Sequence, residues 1–429
     1  MSSSLAAAAA AVALPPEPEF AAFLALDWAD QKHVWALLEP GGSKPQVGEV
    51  AATPEAVEAW VLQLRGRWAG RPIAVALEQK RGALLSMLSK YPELVIFPVH
   101  PGTVSKLREA WRPSKAKDDP GDAGLLLQIL MQDRDKLRRL EADTVETRKL
   151  QRLVQDRRNL VDQMTAYLNQ AQARLKEYFP QAVGWLDPLD SALAADFLRR
   201  WPTLLELQKA RPDTIRKFFH RHHCRSEALL NQRLEEIPKA VVATLDPAIV
   251  ESGCLTVQAL LVLIGALRTH IAALDRHIAA LAAVHPGLAL AASLPGAGPV
   301  LEPRLIAALG TDRHRFTDAR ELQIVSGIAP VTQRSGKHAS IHFRWACPKF
   351  LRQTFHEWAS HSITYSRWAR AYYDDQMSKH HNHHAAVRAL AFKWQRIVFR
   401  CWKDGTCYDE NRYIESLRRR GSPLAAVLG

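Results

Sequence analysis

Four carboxylates stand out by type and position. Asp27 closes the apolar run Phe23-Leu24-Ala25-Leu26, and Glu78 directly follows Ile73-Ala74-Val75-Ala76-Leu77. Asp119 and Asp122 lie in Lys117-Asp118-Asp119-Pro120-Gly121-Asp122-Ala123, where a helix is predicted to start. Residues three apart share a helix face, so this pair projects together. Carboxylates at two strand ends, facing such a pair, can hold two Mg²⁺ about 3.5–4 Å apart. Two such ions polarise a phosphodiester, activate the attacking oxygen and stabilise the leaving one. An all-oxygen donor set favours hard cations, with Mn²⁺ an alternative to Mg²⁺. Taken singly, each acid also fits a structural role: Asp27 as a turn former, Asp119 and Asp122 as helix caps. Glu78 fits one least well, because a carboxylate straight after five apolar residues is costly unless paired or metal-bound.

The elements that must position these acids read as an α/β layer sandwich. Residues 23–26 and 33–38 are apolar runs joined by a short polar turn, a β-hairpin. Residues 53–66 read as helix, with Thr53 as N-cap and Pro54 at the first helical position. Strand runs at 73–77 and 94–99 flank a helix at 81–90. Strands alternating with helices indicate an α/β layer sandwich over residues 20–131, and the four acids as a two-metal site on it are the RNase H-like nuclease arrangement. Residues 1–19, a Ser/Ala tract ending in Pro-Pro-Glu-Pro-Glu, read as a disordered tail; without a basic start they do not read as a signal peptide.

From about residue 132 the pattern changes to long helix. Leu150, Leu153, Leu160, Met164, Tyr167, Ala171 and Leu175 recur at spacings of three, four and seven, a stripe that fits a coiled coil or an ordinary bundle. A smaller helical module at 181–236 is broken by Pro188, Pro202 and Pro212. A second long helix is expected at 256–284, too interrupted by charge to span a membrane. Together 132–289 reads as a helical arm suited to dimerisation. Residues 290–429 form a mainly helical C-terminal domain.

Charge points to the partner. The chain carries +13, with Lys and Arg at 57 against 44 acidic residues; from Leu290 onward the count is 21 against 11. A basic surplus of this size fits a polyanion, most simply nucleic acid. Five scattered cysteines without a Cys-x-x-Cys pair exclude a zinc knuckle or disulfide framework and fit a cytoplasmic protein. Leu294-Pro295-Gly296-Ala297-Gly298-Pro299 offers free backbone N–H groups before a helix, a seat for phosphate at Gly296 and Gly298. The run Lys379-His380-His381-Asn382-His383-His384 reads as a helix start facing solvent or nucleic acid. Tyr365, Tyr372 and Tyr373 read as helix packing, and Trp345, Trp358, Trp368, Trp394 and Trp402 as core, with stacking on bases the alternative.

Over residues 20–420 the sequence resembles the IS110 family of insertion-sequence transposases, the DEDD transposases. The resemblance rests on Asp27, Glu78 and the Lys-x-Asp-x-x-Asp-Ala block, on the helical middle, and on a C-terminal series: Leu294 to Pro299, Gly327-Ile328-Ala329-Pro330 and Arg334-Ser335-Gly336-Lys337. It implies a RuvC-like first domain and a nucleophilic serine, here Ser335; Arg334, Lys337 and Arg344 are well placed in sequence to supply positive charge to the phosphate. Where relatives often carry Ser-Ser-Gly-Gly, this chain has Arg-Ser-Gly-Lys, which leaves Ser335 with Ser340 as a weak alternative. The resemblance further implies donor and target DNA as substrates, a structured guide (bridge) RNA, a homodimer or tetramer, and an active site composed of the carboxylates and Ser335, within one protomer or across protomers. Two other readings stay open: a Holliday-junction resolvase-like nuclease that cuts with water, and a non-catalytic nucleic-acid-binding protein.

Overall fold

The computed structural model describes residues 19–78, 82–111, 119–335, 338–379 and 382–428. The tail at 1–18 lies outside them. Residues up to Ala142 form one compact unit and Asp143–Gly429 a second.

The first unit is a mixed five-stranded sheet with helices on both faces. Its strands are β1 (Ala22–Asp27), β2 (Lys32–Leu38), β3 (Gln46–Ala51), β4 (Ile73–Leu77) and β5 (Leu94–Pro98), in the order β3-β2-β1-β4-β5. β2 runs antiparallel to β1 and β3, and β4 runs parallel to β1 and β5. The helices are α1 (Pro54–Arg67), α2 (Ala83–Leu88), α3 (Pro101–Trp111) and α4 (Asp119–Gln132). Thr53 caps α1, its hydroxyl accepting from the Ala56 amide, as the Thr-Pro pair predicts. β4 is apolar throughout because both its faces are covered. Ile73, Val75 and Leu77 join Leu24 and Leu26 under α1 and α2, whereas Ala74 and Ala76 join Ala25 and Val34 under α4. Each such Ile, Leu or Val side chain contributes about 1.5–3 kcal/mol when fully buried. The unit extends past the expected boundary near 131, because Leu140 N–H donates to the Ile96 carbonyl at 2.7 Å and Leu137 packs under the sheet.

The second unit is helical. α5 (Val145–Tyr178) leads into a module of α6 (Pro180–Trp185), α7 (Ala192–Arg200), α8 (Leu204–Gln208), α9 (Pro212–Arg221) and α10 (Glu227–Lys239). Then come α11 (Pro247–Ala283), α12 (Leu288–Ser293), α13 (Gly298–Leu309) and α14 (Ala319–Val325). A hairpin of β6 (Val331–Ser335) and β7 (His338–His342) follows. The chain finishes with α15 (Lys349–Tyr365), α16 (Arg367–Ser378), α17 (His383–Asp404), α18 (Glu410–Arg419) and α19 (Pro423–Val427).

α5 and α11 lie antiparallel: Thr147 meets His285 at one end, and Arg157 pairs with Asp275 further along. This identifies the partner of the apolar stripe. Leu150 and Val154 are buried with Ile278 and Ala282, and Leu175 with Val257 and Leu261, all in the same chain. The stripe is therefore met internally and does not by itself call for a second protomer. Contrary to the sequence expectation, α11 is long and apolar enough to cross a membrane by length and composition. Yet Val257, Leu260, Leu261 and Ile264 are buried within the chain, as in a core helix. In the C-terminal part, Trp358, Trp368, Trp394 and Trp402 are all core, but Trp345 is 80% exposed.

Candidate active-site residues

Asp27 is the last residue of β1, and Leu26 pairs with Leu77, the last of β4. One step further along these parallel strands, Asp27 and Glu78 stand side by side at the same sheet end. The sequence runs before them are what place them there: two central strands that end together expose their next residues together. Glu78 is half-buried and lines a small cleft with Leu26, Trp28, Leu84 and Leu85. Its carboxylate has no hydrogen-bond or ion-pair partner among the described residues.

α4 brings its acids toward the same end. Just beyond its C-terminus, the Arg134 guanidinium lies 5.3 Å over the Phe20 ring and 5.5 Å over Phe23, at the start of β1. The helix thus runs antiparallel to β1. Fourteen helical residues span about 21 Å and six strand residues about 20 Å, so the first turn of α4 reaches the Asp27 end. Asp122 is 3% exposed and is clamped by Arg108 of α3, which donates from Nε (2.8 Å) and Nη2 (2.7 Å) to its two oxygens. A doubly donated carboxylate is already satisfied, so Asp122 serves at least to fix α3 against α4. Arg108 was not legible from spacing, because it lies fourteen residues from its partner in an unpredicted helix. Asp119 opens α4; its side chain lies outside the described residues. Among the described residues, no three His, Cys, Asp or Glu side chains are close enough to form a metal site together.

Next to this end, β2 carries a buried imidazole. His33 Nδ1 accepts from the Ala29 amide at 3.4 Å, and its Nε2 is buried without a partner. Burial lowers its pKa, the hydrogen bond opposing that only in part.

Ser335 lies in the second unit, at the end of β6, exposed and in register with His338. Gly336 and Lys337 lie outside the described residues. Arg334 is exposed beside the serine. Arg344, expected to supply charge, instead sits at the hairpin base, where its Nε donates to the Ala329 carbonyl at 3.2 Å and its Nη2 to that of Pro330 at 3.5 Å. It anchors the ribbon; counted along the strand pairing it lies six positions from Ser335. Ser340 is tied to His342 (Oγ to Nε2, 2.9 Å). The glycine turn also has a packing role. Gly296 has φ +71°, and a Cβ there would come within 3.0 Å of the His361 backbone on α15. Trp358 Nε1 donates to the Pro295 carbonyl at 3.0 Å, holding the turn against that helix. Gly298, φ +58°, faces open space.

Of the histidine run, His380 and His381 lie outside the described residues. Asn382 caps α17, accepting from the Ala385 amide at 2.8 Å, and His383 Nδ1 is 2.9 Å from the Tyr373 hydroxyl.

An acid-ended mixed sheet is joined in one chain to a mainly helical unit whose residues from Leu290 onward carry a basic surplus. Residues 24–180 match a family model described as transposase, and residues 288–374 match that of the transposase IS116/IS110/IS902 family. The chain is 27% identical over 410 residues to a protein of Streptomyces coelicolor assigned as the mini-circle transposase for IS117, covering 94% of this chain and 98% of the relative. It is 24% identical over 392 residues to an uncharacterized 43.6 kDa protein of insertion element IS110 from the same organism, covering 90% and 95%. The chain belongs to the IS110 family of transposases, and its activity is that of a DNA recombinase.

Proposed function

We propose that this transposase is a metal-dependent recombinase with Ser335 as nucleophile, directed to donor and target DNA by a structured guide RNA and working as a homo-oligomer. The first unit is read as RNase H-like, supported by its strand order. The observation that carries the reading is the meeting of Asp27 and Glu78 at adjacent ends of parallel strands, Glu78 without a described partner. Their donor chemistry suits a hard divalent cation such as Mg²⁺, with Asp119 and Asp122 as further ligands; Asp122 would have to share its oxygens with Arg108. When bound, the metal supplies Lewis-acid polarisation of a phosphodiester.

Ser335 supplies the attacking atom. Its Oγ bonds to phosphorus, its proton is given up, and one phosphorus–oxygen bond to deoxyribose breaks, the released oxygen taking a proton. The new serine–phosphate ester conserves a phosphodiester-type bond, so rejoining to another strand needs no external energy source. Arg334 and Lys337 are the neighbouring cations that would neutralise the phosphate. Gly296 and Gly298 are read as backbone contacts to nucleic acid.

Ser335→Ala tests this directly. With a suicide DNA substrate, wild type should give a protein–DNA band on denaturing electrophoresis, and the variant should lose both adduct and recombination. A variant that still recombines, or an adduct mapping to a tyrosine, would overturn the mechanism; indifference to the change is what a water-using resolvase would show.

A further inference from the structure

The tryptophan that escapes the core stands in an unusual setting. Trp345 follows β7 by three residues, and its indole meets the Phe343 ring edge-on at 4.7 Å. Two guanidinium groups lie over that same Phe343 ring: Arg352 of α15 at 4.7 Å and Arg388 of α17 at 4.6 Å. Among the described residues neither has a carboxylate partner; Arg352 donates to the Arg344 carbonyl at 3.2 Å, and Arg388 has no hydrogen bond. Two half-buried cations on one ring repel each other. Burial, and then the charge of Arg352, lower the Arg388 pKa. Guanidiniums left without a carboxylate are open to an anion, with which each makes charge-assisted hydrogen bonds.

The indole is exposed but its backbone is fixed. Cys347 N–H donates to the Trp345 carbonyl at 3.0 Å, and the Arg344 side chain on one side and carbonyl on the other pin the preceding residue. A rigidly presented aromatic face within a nucleotide's reach of two unneutralised guanidiniums matches a base joined to its phosphate.

We propose that Phe343, Trp345, Arg352 and Arg388 form a binding site for one unpaired nucleotide of the DNA strand on which Ser335 acts, the base stacking on Trp345 and its phosphate held by the arginine pair. The choice of DNA rests on the reading of Ser335 as nucleophile, because β7, the partner of the strand that ends in that serine, leads into the segment that carries this tryptophan. A strand seated here is held unpaired next to the hairpin that carries Ser335. Trp345 is then a positioning residue for strand opening.

Fluorescence anisotropy on the full chain tests the site with three labelled probes: oligothymidylate of about 16 nucleotides, a duplex of equal length, and oligouridylate. Trp345→Ala should weaken oligothymidylate binding about tenfold, as one lost base stack does, with duplex affinity changed by less than about twofold. Trp345→Phe should restore most of the loss, and Arg388→Met should lower the salt dependence of single-strand binding by about one phosphate contact. Equal loss on single strand and duplex, no loss on either, or loss confined to oligouridylate would each overturn the assignment. An adduct that survives in Ser335→Ala beside a single-strand-selective loss in Trp345→Ala would overturn the nucleophile reading alone, whereas a lost adduct with no selective loss would overturn this site alone.

Discussion

The carboxylates and the serine are mounted in opposite ways. Asp27 ends a central strand that is hydrogen-bonded on both sides, Glu78 follows another, and the strands behind them are buried on both faces. Ser335 ends a five-residue strand in a two-stranded ribbon whose residues from Thr332 to Ser335 are exposed. An isolated two-stranded ribbon is only marginally stable, and this one takes its order at the base, from Arg344. In the function proposed above, the groups that would hold a metal sit on the rigid scaffold that a fixed separation needs, and the serine that would attack sits on the less braced ribbon.

That contrast can be broken or sharpened by substitution. The largest effect should come from Glu78→Gln, which keeps the shape but removes the charge: recombination should fall on the order of a thousandfold, with thermal stability almost unchanged. Full recombination by this variant would remove the sheet end from the chemistry.

Next in size is Arg108→Met. It leaves the Asp122 carboxylate buried and unpaired, which should cost about 3 kcal/mol in urea unfolding. The matching change at the hairpin, Arg344→Met, removes hydrogen bonds to two carbonyls and should cost only about 1–2 kcal/mol. Amide exchange should then quicken in β6 and β7 alone. A larger loss from Arg344 than from Arg108 would reverse the comparison.

The smallest effect is on pH dependence. Burial holds His33 below the ordinary imidazole range. As pH falls below about 6.5 the unfolded chain therefore binds a proton that the folded sheet refuses, and stability present above that pH is lost. His285 and His356 in the second unit act in the same direction, burial being the main cause in each. His33→Gln should flatten the decline of the first unit's thermal midpoint between about pH 7.5 and 5.5; an unchanged decline would mean that other groups set it.

Much of this was legible in the sequence because it is local. The runs ending at Leu26 and Leu77, the Thr53-Pro54 helix start and the helical setting of Asp119 and Asp122 are encoded by neighbours in the chain. β3 was not read, since Gln46–Ala51 is an edge strand, mostly exposed, with Val50 its buried residue. Arg108 escaped because an ion pair between two helices leaves no periodic trace. The stripe on α5 was visible but its partner was not: periodicity shows that a face will be covered, not by what. Trp345 was assigned to the core from residue type, which gives an average burial and cannot register that this particular indole is left exposed.

The pairing of α5 with α11 also sets an order of events during synthesis. Thr147 and His285 are 138 residues apart in sequence, and Arg157 and Asp275 are 118 apart. The sheet unit closes within its own 142 residues, so it can fold as it leaves the ribosome. α5 then emerges with Leu150, Val154 and Leu175 uncovered and waits for roughly seventy more residues before α11 begins to appear. At about 5–20 residues per second, that is an interval of several seconds in which the apolar stripe is open to chaperones or to the same stripe on a neighbouring nascent chain.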